Sequence, residues 1–163
     1  MEHKKLVIEY TDYYGLDELE SADRELVLEA IKAQEGSYCP YSHFRVGAAL
    51  RLEDGTIVRG SNQENNAYPA GLCAERTAMF AAGANYPDKA FDTIAIVGSD
   101  ENGICPTPAT PCGECRQVMA EYQAKGGRPL KIILVGRDKI QKFSKVDDIL
   151  PFIFDSIKAG KIF

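Results

Sequence analysis

The sequence predicts a single α/β domain in which a sheet is held between helices. Three observations lead there. From residue 56 onward, short apolar strand-like runs alternate with segments of helical period, the pattern of strand–helix–strand units joined by right-handed crossovers. The chain has 163 residues, enough to bury one core but not two. No repeat, low-complexity tract or linker divides it, so residues 1–163 read as one domain.

The elements follow in order. Residues 6–10 read as a short edge strand. In residues 16–34, Leu16, Leu19, Ala22, Leu26, Val27, Ala30 and Ile31 recur at helical spacing, and Gly36, Ser37 and Pro40 stop that helix. Residues 44–51 and 56–60 flank Glu53-Asp54-Gly55, a hairpin turn signal. Residues 61–71 form a polar loop broken by Pro69 and Gly71, and residues 73–84 an Ala-rich helix. Residues 91–98 are apolar on both faces, as an internal strand is. A long loop, 99–110, carries Pro106 and Pro108. A helix over 112–124 ends at Gly126-Gly127. A buried strand over 130–135, a turn at 136–138 and a partner strand at 140–143 follow, with a short helix over 146–154 closing the fold.

Composition narrows the function. The net charge is −5 and no Lys/Arg run occurs, which argues against a nucleic-acid partner and for a small-molecule ligand. The longest apolar runs, such as 94–97 and 132–135, are too short to cross a bilayer. Met1-Glu2-His3-Lys4-Lys5 has no apolar signal core, so cytoplasmic residence is expected. Five cysteines, an odd number, fit metal or catalytic duty better than disulfides there.

Three of those cysteines carry chemistry. Cys73 opens the run Cys-Ala-Glu-Arg, and Cys112 and Cys115 lie in Pro-Cys-Gly-Glu-Cys-Arg-Gln. Each run sits where a loop becomes a helix, and free N–H groups and the helix dipole stabilise thiolates there. Spacing i to i+3 puts Cys112 and Cys115 on one helix face. Three protein ligands are the signature of a catalytic zinc, which keeps its fourth position for water. Glu75, in the same first turn as Cys73, is placed to carry protons. Arg76 beside it suits hydrogen bonding to a thiolate, offsetting excess negative charge. Arg116 and Gln117 are further candidates for supporting the ligands. Competing readings are a redox Cys-x-x-Cys pair, a closed four-cysteine zinc using Cys39 or Cys105, and Glu75 as a helix-dipole partner. The redox reading leaves Cys73-Ala74-Glu75 without a purpose. Cys39 and Cys105 otherwise read as buried or incidental thiols, and His43 has no ligand partner.

Together these runs resemble the cytidine deaminases, the small three-cysteine class of the zinc-dependent cytidine and deoxycytidylate deaminase family. The likeness extends to residues 38–49, to Asn62-Gln63-Glu64-Asn65, to Tyr68-Pro69, and to Leu150-Pro151 with Phe154, covering most of residues 20–155. It implies a three-layer α/β/α sandwich around a mixed five-stranded sheet. It implies one zinc per subunit on Cys73, Cys112 and Cys115, activating water for attack at C4 of cytosine. Glu75 would protonate N3 and then carry a proton to the departing amino group. The Ala74 backbone would hold the pyrimidine edge, and Asn62 and Glu64 the ribose 3′-hydroxyl. Phe44 would pack near sugar and base, with Tyr68 also in the substrate pocket. Phe154 would stack on a cytosine bound in a neighbouring subunit, because the small members are homotetramers with shared active sites.

The implied activity is conversion of cytidine and 2′-deoxycytidine to uridine and 2′-deoxyuridine in pyrimidine salvage. A nucleoside-antibiotic deaminase of the blasticidin S type is the alternative on the same scaffold. Polynucleotide deamination would need phosphate-neutralising side chains, which the acidic balance opposes. Taken singly, the pocket residues have plainer roles: Phe44 and Phe154 as core, Asn62 and Glu64 as turn residues, Tyr68 as a packing aromatic. Three departures from the family pattern stand out. Asn66-Ala67 precede Tyr68, the 102–110 loop is long, and residues 1–15 form an N-terminal extension without a counterpart.

Overall fold

The computed structural model describes residues 1–154. Among them, the strands are β1 (Thr11–Tyr13), β2 (Arg45–Leu52), β3 (Ile57–Ser61), β4 (Phe91–Asp100), β5 (Gly103–Ile104), β6 (Lys131–Val135) and β7 (Ile140–Phe143). They form one sheet in the order β1-β7-β6-β4-β2-β3, with β5 folded back onto the end of β4. β4 and β6 pair in parallel and every other pairing is antiparallel, so the sheet is mixed.

Alternation along the central strands sends side chains to opposite faces, and both faces are covered. Ala95 and Val97 of β4 and Ile133 and Val135 of β6 meet α1 (Ser21–Ala33) through Leu26, Val27 and Ala30. Ile94, Ile96, Ile132 and Leu134 face the other way. They meet Ala78, Met79 and Ala82 of α2 (Ala74–Asn85) and Cys115 and Met119 of α3 (Gly113–Gly126). The three-layer α/β/α sandwich is therefore present, with seven strands instead of five among the described residues. The two additional strands, β1 and β5, lie in the segments that depart from the family pattern, the N-terminal extension and the 102–110 loop.

Three elements differ from expectation, each for a local reason. Residues 6–10 are not a strand; pairing starts at Thr11 and Lys142, and β7 ends at Phe143. Beyond it only Tyr10 makes a ring contact, stacking on Phe143 at 5.2 Å. The helix expected over 16–34 is broken. A 3₁₀ turn, Leu16–Glu18, precedes α1, because the Arg24 guanidinium donates to the Leu16, Asp17 and Leu19 carbonyls and holds that turn outside the helix. The closing helix shrinks to a 3₁₀ turn, Val146–Asp148. Arg116 and Gln117 donate to the carbonyls of Ile149 and Phe154, both at 2.8 Å, and Pro151 has no N–H to continue a helix.

Contact between α2 and β3 positions the first cysteine. A Cβ on Gly60 would stand 2.4 Å from the Ala78 nitrogen and 2.5 Å from the Ala74 carbonyl oxygen. The helix backbone thus rests on β3 with no room for a side chain between them. Gly60→Ala must lift the start of α2 off the sheet. Its expected cost is about 1–3 kcal/mol of stability, as for other overpacked sites, read as a lower denaturation midpoint.

Candidate active site

Cys73 is the N-cap of α2 and Cys112 the N-cap of α3, both with extended backbone. Their carbonyls close the first helical turns: Thr77 donates to the Cys73 oxygen through N and Oγ1, and the Arg116 N–H donates to that of Cys112. Cys115, one turn into α3, is fully buried. The three sulfurs lie within 4.8 Å of one another, at 3.9 Å between Cys73 and Cys112 and 3.5 Å between Cys112 and Cys115. Zinc bonds of about 2.3 Å at tetrahedral angles set sulfurs roughly 3.8 Å apart, so this donor set fits the ion. Among the described residues no His, Asp, Glu or further Cys joins the group, and neither Cys39 nor Cys105 belongs to it.

The electrostatics match the geometry. The neighbouring Cys115 thiol and the Arg76 guanidinium, 3.5 Å from the sulfur, bring the Cys73 thiol down to about 5. The Cys115 thiol is pushed up by the neighbouring Cys73 sulfur and by burial. Glu75 is 4% exposed. Burial raises its carboxyl above the ordinary range, and the neighbouring Cys73 charge adds to the shift. Arg76 spans the site, with its second terminal nitrogen 2.9 Å from the Glu114 carboxylate.

These groups open onto a cavity of about 630 Å³. Of the expected substrate residues, Phe44, Asn62, Glu64, Tyr68 and Ala74 all line it. Asn62 binds the backbone of the segment leading into β2: its Oδ1 accepts from Val46 N and its Nδ2 donates to Phe44 O, each at 2.8 Å. Glu64 accepts the backbone N–H groups of Tyr41 and Ser42 and the Ser42 hydroxyl, which lower its pKa despite solvent contact. Phe154 does not line the cavity and is 80% exposed.

The sequence reading missed Tyr41, Ser42, Ile96, Ala109 and Thr110 as cavity residues. Pro40 marked the turn that presents Tyr41 and Ser42 to Glu64. That turn also uses His43, in the left-handed region at φ 56°, with its N–H bonded to Cys39 O. Nothing in the sequence signalled Gly98. A Cβ there would lie 2.7 Å from the Phe44 ring and 3.0 Å from Ala109, so the glycine lets the ring lie back against β4.

Residues 20–126 match the family described as the cytidine and deoxycytidylate deaminase zinc-binding region. The chain belongs to that family. It is 50% identical over 101 residues to a cytidine deaminase from Halalkalibacterium halodurans, covering 61% of this chain and 71% of that one. The crystal structure of cytidine deaminase from Burkholderia pseudomallei superposes with a TM-score of 0.69 at 40% identity, covering 80% of this chain and 97% of that one. A blasticidin-S deaminase from Bacillus cereus is 35% identical over 103 residues, covering 61% of this chain and 72% of that one.

In this deaminase, the lowered pKa of Cys73 gives a test that needs no substrate. Once the metal is stripped, alkylation of Cys73 followed by mass spectrometry should stay fast as the pH falls from 8 towards about 5. An ordinary thiol would slow about tenfold per pH unit over that range. Restoring zinc should protect all three ligands.

Proposed function

We propose that the chain is a zinc-dependent hydrolase converting cytidine and 2′-deoxycytidine to uridine and 2′-deoxyuridine, with release of ammonia. The carrying observation is the buried Glu75 carboxylate beside three clustered thiols at a cavity large enough for a nucleoside. One zinc per subunit would be held by Cys73, Cys112 and Cys115 and would supply a Lewis acid that lowers the pKa of the water used at C4. Glu75 takes the proton from the attacking water and delivers it to N3 of the pyrimidine. It then carries the remaining proton of the hydroxyl added at C4 to the exocyclic nitrogen, so that the C4–N4 bond breaks, the C4 carbonyl forms and ammonia leaves. A carboxyl with a raised pKa is suited to both directions of transfer near neutral pH.

The remaining residues bind. The Ala74 backbone holds the pyrimidine edge, and Phe44 packs against base and sugar. Asn62 keeps one N–H and one lone pair beyond its backbone bonds, and Glu64 keeps one acceptor site, on Oε1. These recognise the ribose 3′-hydroxyl, with Tyr68 walling the pocket. Arg76 counters the negative charge of the thiolates. Phe154 serves a neighbouring subunit of a homotetramer with shared sites, a reading supported by its exposure outside its own cavity. Pyrimidine salvage in the cytoplasm, by one domain spanning residues 1–163, fits this chemistry. Nucleic-acid and membrane partners are disfavoured by the net charge of −5 and, among the described residues, by the lack of a helix long and apolar enough to cross a bilayer.

A nucleoside panel tests the reading. Zinc-loaded protein should release uridine or deoxyuridine and ammonia from the two cytidines faster than it deaminates blasticidin S. The reverse order would select the antibiotic alternative, and no ammonia from any of them would reject both. Glu75→Gln should lower turnover by about 10²–10⁴ while leaving zinc content and circular dichroism unchanged. Gly98→Ala, by pushing the Phe44 ring into the cavity, should raise KM for cytidine roughly tenfold with little change in kcat.

A further inference from the structure

We propose that Glu114 is a positioning residue for the metal centre. It fixes Arg76 against the Cys73 sulfur and so ties the two cysteine-bearing helix starts to each other. The inference rests on the reading that Cys73, Cys112 and Cys115 hold zinc.

Arg76 lies three residues after Cys73 on α2, and Glu114 lies between Cys112 and Cys115 on α3. Their ion pair, 2.9 Å from Nη1 to Oε2, therefore bridges the two halves of the ligand set. The same guanidinium donates through Nη2 to the Cys73 sulfur at 3.5 Å. Its side chain is only 17% exposed, and its buried Nε finds no acceptor among the described residues. The guanidinium is thus held at its two ends, by the sulfur and by Glu114. Arg116, the other arginine in the cysteine runs, is committed to the Pro111 and Ile149 carbonyls. It does not replace Arg76.

Two effects of Glu114 oppose each other. Its negative charge near three thiolates disfavours the deprotonated sulfurs that zinc requires, whereas its grip on Arg76 favours them. The carboxylate is 74% exposed, so water screens its charge, but a bond to a mostly buried guanidinium is not weakened in the same way. Geometry wins. Glu114 also sits in the first turn of α3, where an acid favours the helix dipole. That contribution does not require Arg76, and a double substitution separates it.

The test is zinc release from the full chain to excess chelator, followed with a zinc-sensitive dye. Glu114→Ala should release zinc about three- to tenfold faster than the parent, a milder effect than loss of a group touching the ligands directly. Glu114→Gln keeps an acceptor for Arg76 and should release more slowly than Glu114→Ala. In an Arg76→Ala background, Glu114→Ala should no longer accelerate zinc release to the same extent, leaving only the smaller effects of its own charge and of the helix dipole. Release from Glu114→Ala at or below the parent rate would overturn the proposal. So would equal rates for the Ala and Gln variants, or equal acceleration in the Arg76→Ala background. Unchanged unfolding midpoints of the metal-free variants would show that the fold is intact. A parent protein that binds no zinc would instead refute the metal reading itself.

Discussion

Convergence of two helix starts on one point is the constraint from which the chemistry of this protein derives, and the sheet enforces it. α2 sits against β3 at backbone contact over Gly60, and α3 lies over the same face beside β4 and β6. Cys73 and Cys112 cap these two helices, and Cys115 follows one turn later. Bringing three thiolates this close would be costly without compensation. Unpaired N–H groups and the dipoles of two helix ends provide part of it and Arg76 a full positive charge, and a divalent ion would supply the rest.

The same placement decides the protonation pattern. Because α2 is pressed onto the sheet, Glu75 in its first turn is buried, and burial raises its pKa. Glu64 shows the opposite tuning. It stands at the open side of the cavity and accepts three hydrogen bonds from Tyr41 and Ser42, which keep it ionised. Two carboxylates in one cavity are thereby shifted in opposite directions, Glu75 upwards by burial and Glu64 downwards by its hydrogen bonds. Folding therefore sets the protonation tendencies that residue type alone leaves open.

Much of this was legible in the chain. The two cysteine runs, Glu75 and Arg76 announced the centre because metal ligation needs particular atoms at particular spacings. The central strands announced themselves through continuous β-branched runs. Legibility failed where a distant partner decides the local structure. The helical period of Leu16 and Leu19 runs across a real break, at which the Arg24 side chain donates to the Leu16, Asp17 and Leu19 carbonyls. Residues 6–10 have strand composition but extend past the end of β7. Gly98 acts through Phe44, which is far from it in sequence, and through Ala109. The capping of Glu64 depends on a turn at Pro40–His43 that composition marks without showing where it points.

Zinc in the cysteine cluster should be held by three sulfurs, with a light atom in its remaining position. Zinc-edge X-ray absorption on the purified, zinc-loaded protein measures this directly. The expected result is three sulfur scatterers near about 2.3 Å and one oxygen or nitrogen near about 2.0 Å. Four sulfurs, or a shell dominated by nitrogen and oxygen, would contradict it.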